Sequence, residues 1–304
     1  MLIVDFIIIF CFGMFIFVNF CYMYQRNFIL CDNFLFDSKK RTIGCIDKNV
    51  RCFEKKIEQT ETKIEKGFIN DTFTKSSLNY YIIYKTTNTK TLLFFHGNKG
   101  SIDRHLDKCF GLHVETDVNI LIFDYAGYGK STGMCENDKD MFWNSVAIYE
   151  KVYLNNVILK NTQLYIYGIS LGTVSGLMLA LYLGPKCKGV LLENCLFSIN
   201  YLLKESKKSV LKFIPERYIK CKFSVENYLN ELCVHKGLNV FLICSLHDNV
   251  ISYKNSIKLY QTLKNRGMSN VSYLRFNDPD IGHTNAWKFG TVYFKIFNRF
   301  LSCQ

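Results

Sequence analysis

The sequence predicts an α/β fold: a mostly parallel β-sheet covered by helices on both faces, preceded by one membrane-spanning helix. Three observations carry the prediction. Short apolar runs that read as buried strands (Thr91–Phe95, Asn119–Phe123, Leu164–Tyr167, Val240–Ser245, Val271–Phe276) alternate with helical patterns near 102–115, 137–154, 253–266 and 286–301. A serine between two glycines stands where one strand passes directly into a helix, at Gly168-Ile169-Ser170-Leu171-Gly172. The chain has 304 residues, 49% of them hydrophobic, which suits one large doubly covered domain rather than two.

Taken in order, the chain opens on an apolar stretch. Phe6 to Tyr24 carries no charge and is rich in Phe and Ile, with Asn19 as its polar interruption. Its length is close to the ~20 residues that cross a bilayer as a helix. A cleaved signal peptide needs a basic start, a shorter apolar core and small residues at the cleavage point. Here Asp5 stands at the start, and bulky Val18-Asn19-Phe20-Cys21-Tyr22 where cleavage would fall. An uncleaved anchor over residues 1–26 is expected, with a secreted soluble form as its rival. No Lys or Arg precedes the span, while Arg26, Lys39, Lys40 and Arg41 follow it, which turns the domain towards the cytosol. The 13 cysteines form no C-x-x-C pair and suit free thiols in a reducing compartment. The sequons Asn70-Asp71-Thr72 and Asn270-Val271-Ser272 point to the opposite side. Cys21 and Cys31 are candidate palmitate carriers.

Residues 27–55 read as a linker to a domain spanning 56–304, whose first strand pair is expected near Lys56–Lys63 and Asn79–Tyr84. The strand Thr91–Phe95 ends in His96-Gly97-Asn98-Lys99-Gly100, whose glycines allow close backbone approach. Asn119–Phe123 ends in Asp124-Tyr125-Ala126-Gly127-Tyr128-Gly129-Lys130-Ser131. The Gly-Lys-Ser ending invites a phosphate-loop reading, but that motif requires glycine five residues before Gly129, where Asp124 stands. The segment reads instead as a structural turn, with Asp124 bonded to backbone.

Leu164–Tyr167, the serine turn and the apolar helical residues Val174, Leu177, Met178 and Leu181 have the layout of a nucleophile elbow. A nucleophilic serine needs a base and an orienting acid. Two later strands end in candidates: Val240–Ser245 runs into Leu246-His247-Asp248, and Val271–Phe276 leads to Asn277-Asp278-Pro279-Asp280-Ile281-Gly282-His283. The order Ser170, Asp248, His283 is that of α/β-hydrolases and not of the two protease triads. His283 is the expected general base, and Asp248 the group that fixes its tautomer and stabilises its cation. His247 adjoins Asp248, and neighbours on a strand end point apart. The expected oxyanion donors are the backbone amides of Asn98 and Leu171. This chemistry calls for no cofactor and no metal.

The motifs His96-Gly97-Asn98-Lys99-Gly100, DYAGYGKSTG, GISLG, LLENCLFSI and GHTNAW occur here in the order and spacing of one family. Across roughly residues 55–302 the chain resembles the membrane-anchored α/β-hydrolase-domain proteins related to the fungal bud-emergence hydrolase, and through them serine aminopeptidase-like hydrolases. The resemblance implies the same triad and a domain on the lumenal or outer side of a membrane, against the charge asymmetry. The expected location is the endoplasmic reticulum or the plasma membrane. Ala126 stands where the family usually has arginine, Lys99 where it has a small residue, and Gly282 is the lone glycine before the histidine.

About 40 residues between Cys195 and Val240 lack strand character and read as a cap, about 196–238, above Ser170. Lys204, Lys207, Lys208, Lys212, Arg217, Lys220 and Lys222 lie there among Leu, Phe, Ile and Tyr. One reading is a solvated basic cap; the sharper one is a lid that faces anionic headgroups and lines an acyl-chain site. The net charge of +12 is otherwise scattered, without a nucleic-acid module, so nucleic acid is not an expected partner. The expected function is a membrane-anchored serine hydrolase acting on ester, thioester or amide bonds of a lipid, a small molecule or an acylated protein. The alternative is a non-catalytic membrane-tethered scaffold that keeps the hydrolase fold.

Overall fold

The computed structural model describes residues 61–205, 221–232 and 235–302, together with Met14 and Ile219. The expected linker and, apart from Met14, the expected anchor lie outside the described residues. So do Lys207, Lys208, Lys212, Arg217 and Lys220 of the cap. Among the described residues no helix is long and apolar enough to cross a membrane.

The chain runs β1 (Lys63–Asp71), β2 (Ser76–Tyr84), β3 (Lys90–Phe95), α1 (Ile102–Thr116), β4 (Asn119–Phe123), α2 (Asp138–Ile148), β5 (Gln163–Ile169), α3 (Gly172–Leu183) and β6 (Cys187–Glu193). It continues through α4 (Ile199–Lys204), α5 (Val225–Glu231), β7 (Asn239–Ser245), α6 (Lys254–Asn265), β8 (Val271–Phe276) and α7 (Thr291–Ser302). These strands form an eight-stranded sheet in the order β1-β2-β4-β3-β5-β6-β7-β8. The β1–β2 hairpin and the β2–β4 pairing are antiparallel, and the pairings from β4 through β8 are parallel.

Burial follows from this layering. Every residue of β4 is buried, as are all but the first of β3 and β5, because a parallel strand covered on both faces has no solvent side. One apolar core lies under α1 and α7, with Leu106, Leu112, Tyr293 and Phe297 against Phe94, Ile122 and Tyr167. The other lies under α2, α3, α6 and the described part of the cap. Helix α3 is buried along nearly its whole length, so it is apolar all round rather than striped. Helix α2 starts at a capping box, Asn137 with Asp140, and runs on as a π-helical turn over Tyr149–Tyr153.

The first described strand spans Lys63–Asp71 and its partner begins at Ser76; residues 56–60 of the expected first strand lie outside the described residues. On this edge strand Lys63, Lys66, Phe68 and Asn70 are exposed and only Asp71 is buried. The period-two pattern that locates a half-buried strand is therefore faint in KIEKGFIND.

The chain passes from β3 through α1 to β4 on one side of β3, then crosses back to place β5 on the other side. At such a reversal the loops leaving the two adjacent parallel strands diverge and open a crevice at their carboxyl ends. The loops after β3 and β5 are His96–Gly100 and the Ser170 turn.

Candidate active site

The turn after β5 is steric in origin. Ser170 has φ +57°, a conformation unfavourable for a residue with a side chain, and is 8% exposed. A Cβ on Gly172 would lie 2.3 Å from the Phe95 carbonyl oxygen, and one on Gly168 would lie 2.6 Å from the Gly172 oxygen. Glycine is thus required on both sides of the serine. The Ser170 N–H donates to the Glu193 carbonyl on β6 at 2.9 Å, and Thr173 Oγ1 donates to the Ser170 carbonyl at 2.6 Å.

The loops after β7 and β8 bring Asp248 and His283 to this serine. His283 Nε2 lies 2.9 Å from Ser170 Oγ, and His283 Nδ1 lies 2.6 Å from Asp248 Oδ2. A carboxylate only accepts, so Nδ1 carries the proton and Nε2 is left to accept from the serine hydroxyl. The Asp248 side chain is 0% exposed and that of His283 14%. Asp248 Oδ1 is held by the backbone N–H groups of Val250 at 2.8 Å and Ile251 at 2.9 Å. Each carboxylate oxygen therefore has its own task, one facing the loop and one facing the imidazole.

The competitors lie elsewhere. His247 is exposed, and its backbone N–H donates to Ser245 Oγ at 3.1 Å. Asp278 is exposed and accepts from the Asp280 N–H at 2.9 Å. It stabilises its own turn and does not reach the imidazole.

On the other flank the Gly100 N–H donates to the Gly97 carbonyl at 2.8 Å, closing a tight turn around Asn98 and Lys99. A Cβ on Gly97 would lie 3.1 Å from Ser170 Cβ, so this turn packs directly on Ser170. Tyr128 Oη donates to Asn98 Oδ1 at 2.9 Å and orients that side chain. Asn98 follows the glycine in contact with Ser170, and Leu171 follows Ser170 at the N-terminus of α3. These are the two positions whose amides sequence reasoning assigns to an oxyanion. Lys99 is exposed.

Asp124 organises the loop beside this turn. Its Oδ1 accepts from the Ile102 N–H at 2.8 Å, and its Oδ2 from Asn79 Nδ2 at 3.0 Å and the Lys130 N–H at 3.2 Å. Gly129, at φ +48°, folds so close that a Cβ there would lie 2.1 Å from Asp124 Oδ2. The loop closes on a carboxylate of its own, which leaves no cradle for a phosphate. His96 behind it is wholly buried; burial lowers its pKa, and nearby Asp124 opposes that only in part. Its Nδ1 donates to the Gly97 carbonyl at 2.8 Å.

Sequence reasoning missed the supports of the histidine loop. Asn194 Nδ2 donates to the His283 carbonyl at 2.7 Å, and Asn194 Oδ1 accepts from the Ser245 N–H at 2.9 Å. Ser245 Oγ donates to the Ile281 carbonyl, and the Gly282 N–H donates to Asn285 Oδ1 at 2.7 Å. It also missed a buried cluster on the α1 face. Glu193 Oε2 accepts from Lys108 Nζ at 3.0 Å, Tyr167 Oη at 2.5 Å and Tyr293 Oη at 2.6 Å. Burial lowers the Lys108 pKa and raises those of both tyrosines; Glu193 opposes the first shift and adds to the other two. The available signal was the segment LLENCLFSI, which puts a charged and an amide residue straight after an apolar strand.

Six described cysteines, Cys109, Cys135, Cys187, Cys195, Cys221 and Cys244, are buried free thiols. Burial pushes the Cys187 thiol up to about 12 and the Cys244 thiol up to about 11, so neither is a nucleophile at neutral pH. Among the described residues no three His, Cys, Asp or Glu side chains converge as a metal-binding group.

No family model matches the chain. It is 26% identical over 132 residues to protein bem46 of Schizosaccharomyces pombe, a match covering 42% of this chain and 44% of that protein. It is 34% identical over 113 residues to human alpha/beta hydrolase domain-containing protein 17C, covering 36% of this chain and 32% of that protein. The matched part thus spans less than half the length of either relative. Among solved structures, the Pyrococcus furiosus esterase Pf2001 superposes with a TM-score of 0.60 at 17% identity, over 79% of this chain and 91% of that one. The chain has the α/β-hydrolase fold and is similar in sequence to α/β-hydrolase-domain proteins.

Proposed function

We propose that this chain is a serine hydrolase that cleaves ester, thioester or amide bonds of a lipid or acylated substrate at a membrane, through an acyl-enzyme. The observation that carries the reading is the continuous path from Ser170 Oγ through His283 to the buried carboxylate of Asp248. A scaffold that only binds has no use for a serine in a strained conformation whose hydroxyl faces a correctly oriented imidazole.

Each residue has a step. As Ser170 Oγ attacks the substrate carbonyl, its proton passes to His283 Nε2, and Asp248 stabilises the imidazolium. The amides of Asn98 and Leu171 receive the developing oxyanion, each such donor contributing roughly 3–4 kcal/mol in the transition state. His283 then protonates the leaving group, and water releases the acyl group by the reverse sequence. The apolar stretch Phe6–Tyr24 anchors the enzyme, with its domain on the cytosolic side by the charge asymmetry. The basic cap attracts anionic lipid, at up to about 1 kcal/mol for each well-placed Lys or Arg.

The test compares the full chain, its Ser170→Ala variant and a chain lacking residues 1–26, on a dispersed short-chain ester and on esters embedded in liposomes. Ser170→Ala is expected to lose both activities. The shortened chain keeps the dispersed-ester activity and loses most of the liposome activity, because the anchor no longer raises the local substrate concentration. Turnover by Ser170→Ala refutes the hydrolase assignment. Equal loss on both substrates after truncation assigns the N-terminal stretch to folding rather than to delivery.

A further inference from the structure

We infer that Asn194 is a positioning residue for the histidine base, tying the end of β6 to the loops that carry His283 and Asp248. The inference rests on the serine-hydrolase reading and deepens it.

Asn194 is the first residue after β6. It is 3% exposed and has φ +49°, a region that asparagine enters more readily than most residues with a side chain. Its backbone N–H donates to the Ile243 carbonyl at 2.8 Å. Its side chain works in two directions, accepting from the Ser245 N–H at 2.9 Å and donating to the His283 carbonyl at 2.7 Å. The carbonyl of the preceding residue, Glu193, accepts from the Ser170 N–H at 2.9 Å. One dipeptide thus holds the backbone of the nucleophile, the strand end that leads to Asp248, and the base itself.

The chemistry of the side chain matters. A short amide offers a donor and an acceptor together; a carboxylate of the same length offers acceptors only. The donor is the half aimed at the base. His283 lies in a loop, outside the strand ladders that fix β7 and β8. Its imidazole must nevertheless meet Asp248 at 2.6 Å and Ser170 at 2.9 Å at the same time. Misplacement of a reacting group by about 1 Å costs on the order of a hundredfold in rate. The anchor is itself rigid, because the Glu193 carboxylate is bound by Lys108, Tyr167 and Tyr293 in the sealed cluster under α1.

The experiment uses the full chain in detergent micelles and a fluorophosphonate probe. In that reaction Ser170 Oγ forms a bond to phosphorus, fluoride leaves with the P–F electron pair, and the serine proton passes to His283 Nε2. The maximal labelling rate constant therefore reports on the base, and the half-saturating probe concentration reports on binding. Asn194→Asp keeps an acceptor and tolerates the left-handed backbone but removes the donor. The expected result is labelling slowed about tenfold to a hundredfold, with half-saturation unchanged within about twofold. Asn194→Gly removes both contacts while keeping the backbone, and serves if the buried carboxylate prevents folding. Val190→Ala, in the core on the same strand, is the control: its Tm falls, but its labelling rate is expected to hold. Full-rate labelling of either folded Asn194 variant overturns the inference. So does a Val190→Ala rate loss that tracks its Tm as closely as in the Asn194 variants. Ser170→Ala, run in parallel, separates the two claims. Persistent labelling there refutes the hydrolase reading; its disappearance beside full-rate Asn194 variants refutes the positioning role alone.

Discussion

Ser170 is placed by its own neighbours in sequence and the strand beside it, whereas His283 is placed by Asp248 and Asn194, 35 and 89 residues earlier in the chain. The serine turn is enforced by exclusion. Gly168 and Gly172 bring backbone so close that no other residue fits, and the left-handed φ of Ser170 follows. The histidine loop is enforced by attraction, through Asn194, Ser245 and Asn285 acting on three successive residues. Steric enforcement is local and unforgiving. Hydrogen-bond enforcement is distributed, and each contact can be removed singly.

The largest effects are expected at the groups proposed to exchange the proton. Ser170→Ala, His283→Ala and Asp248→Asn are each expected to lower turnover of a reactive ester by at least ~10³-fold, about 4 kcal/mol of transition-state stabilisation. Circular dichroism should show the fold retained in Ser170→Ala, because backbone and not the hydroxyl places that residue. A fall in rate of less than tenfold in any of the three would remove that residue from the proton path.

Next in size is a substitution that touches no reacting atom. Gly172→Ala sets a methyl group 2.3 Å from the Phe95 carbonyl oxygen and 2.5 Å from that of His96, both rigid backbone. The expected cost is about 1–3 kcal/mol or more, read as a drop in Tm, with activity falling because the elbow opens. An unchanged Tm would mean the elbow is looser than its contacts indicate.

These two sides also differ in how well the sequence reports them. The elbow and the parallel strands around it were legible, because glycine spacing and unbroken apolar runs are one-dimensional signals of steric exclusion and burial. Asp248 and His283 were legible through chain order and through their position just past strand ends. His247 was set aside as a rival to His283 by strand-end alternation, but β7 stops at Ser245 and both His247 and Asp248 lie in the turn beyond it. Asn194 was not legible, since its bonds reach residues 51 and 89 positions later and its own φ leaves no compositional trace. Lys108 and Glu193 were hidden for a related reason: in sequence each looks like a surface charge, and only the fold seals them together. The strand Lys63–Asp71 was not legible, because an exposed edge strand carries little alternation.

A smaller effect concerns the acid side of the stability profile. His96, His105 and His113 all have pKa values held below the ordinary 6.5, chiefly by burial, and His105 is held well below. In His113 the ring is committed as a neutral species, with Nδ1 donating to the Val118 carbonyl at 2.7 Å and Nε2 accepting from Thr62 Oγ1 at 3.0 Å. Unfolding lets all three take up protons, so stability rises with pH through this window. The contribution is complete above about pH 6.5 and is lost as pH falls through the depressed folded-state values. Thermal melts from pH 7.5 down to 5 should show Tm falling below pH 6.5, less steeply in His113→Gln. A Tm that stays level to pH 5 contradicts the buried neutral assignment.

The smallest expected effects are at the rejected candidates. His247→Ala and Asp278→Asn are exposed changes outside the proton path, and both should leave turnover within about twofold of wild type. A hundredfold loss in either would reassign the acid or the base within its loop.

The role of Ser170 is read most directly by peptide mapping by mass spectrometry after fluorophosphonate labelling of the full chain. A single adduct is expected on the peptide carrying Ser170, absent from Ser170→Ala and strongly slowed in His283→Ala. An adduct on another residue, or equal labelling of wild type and His283→Ala, would refute the proposed triad, because Ser170 would then react without help from the imidazole set beside it.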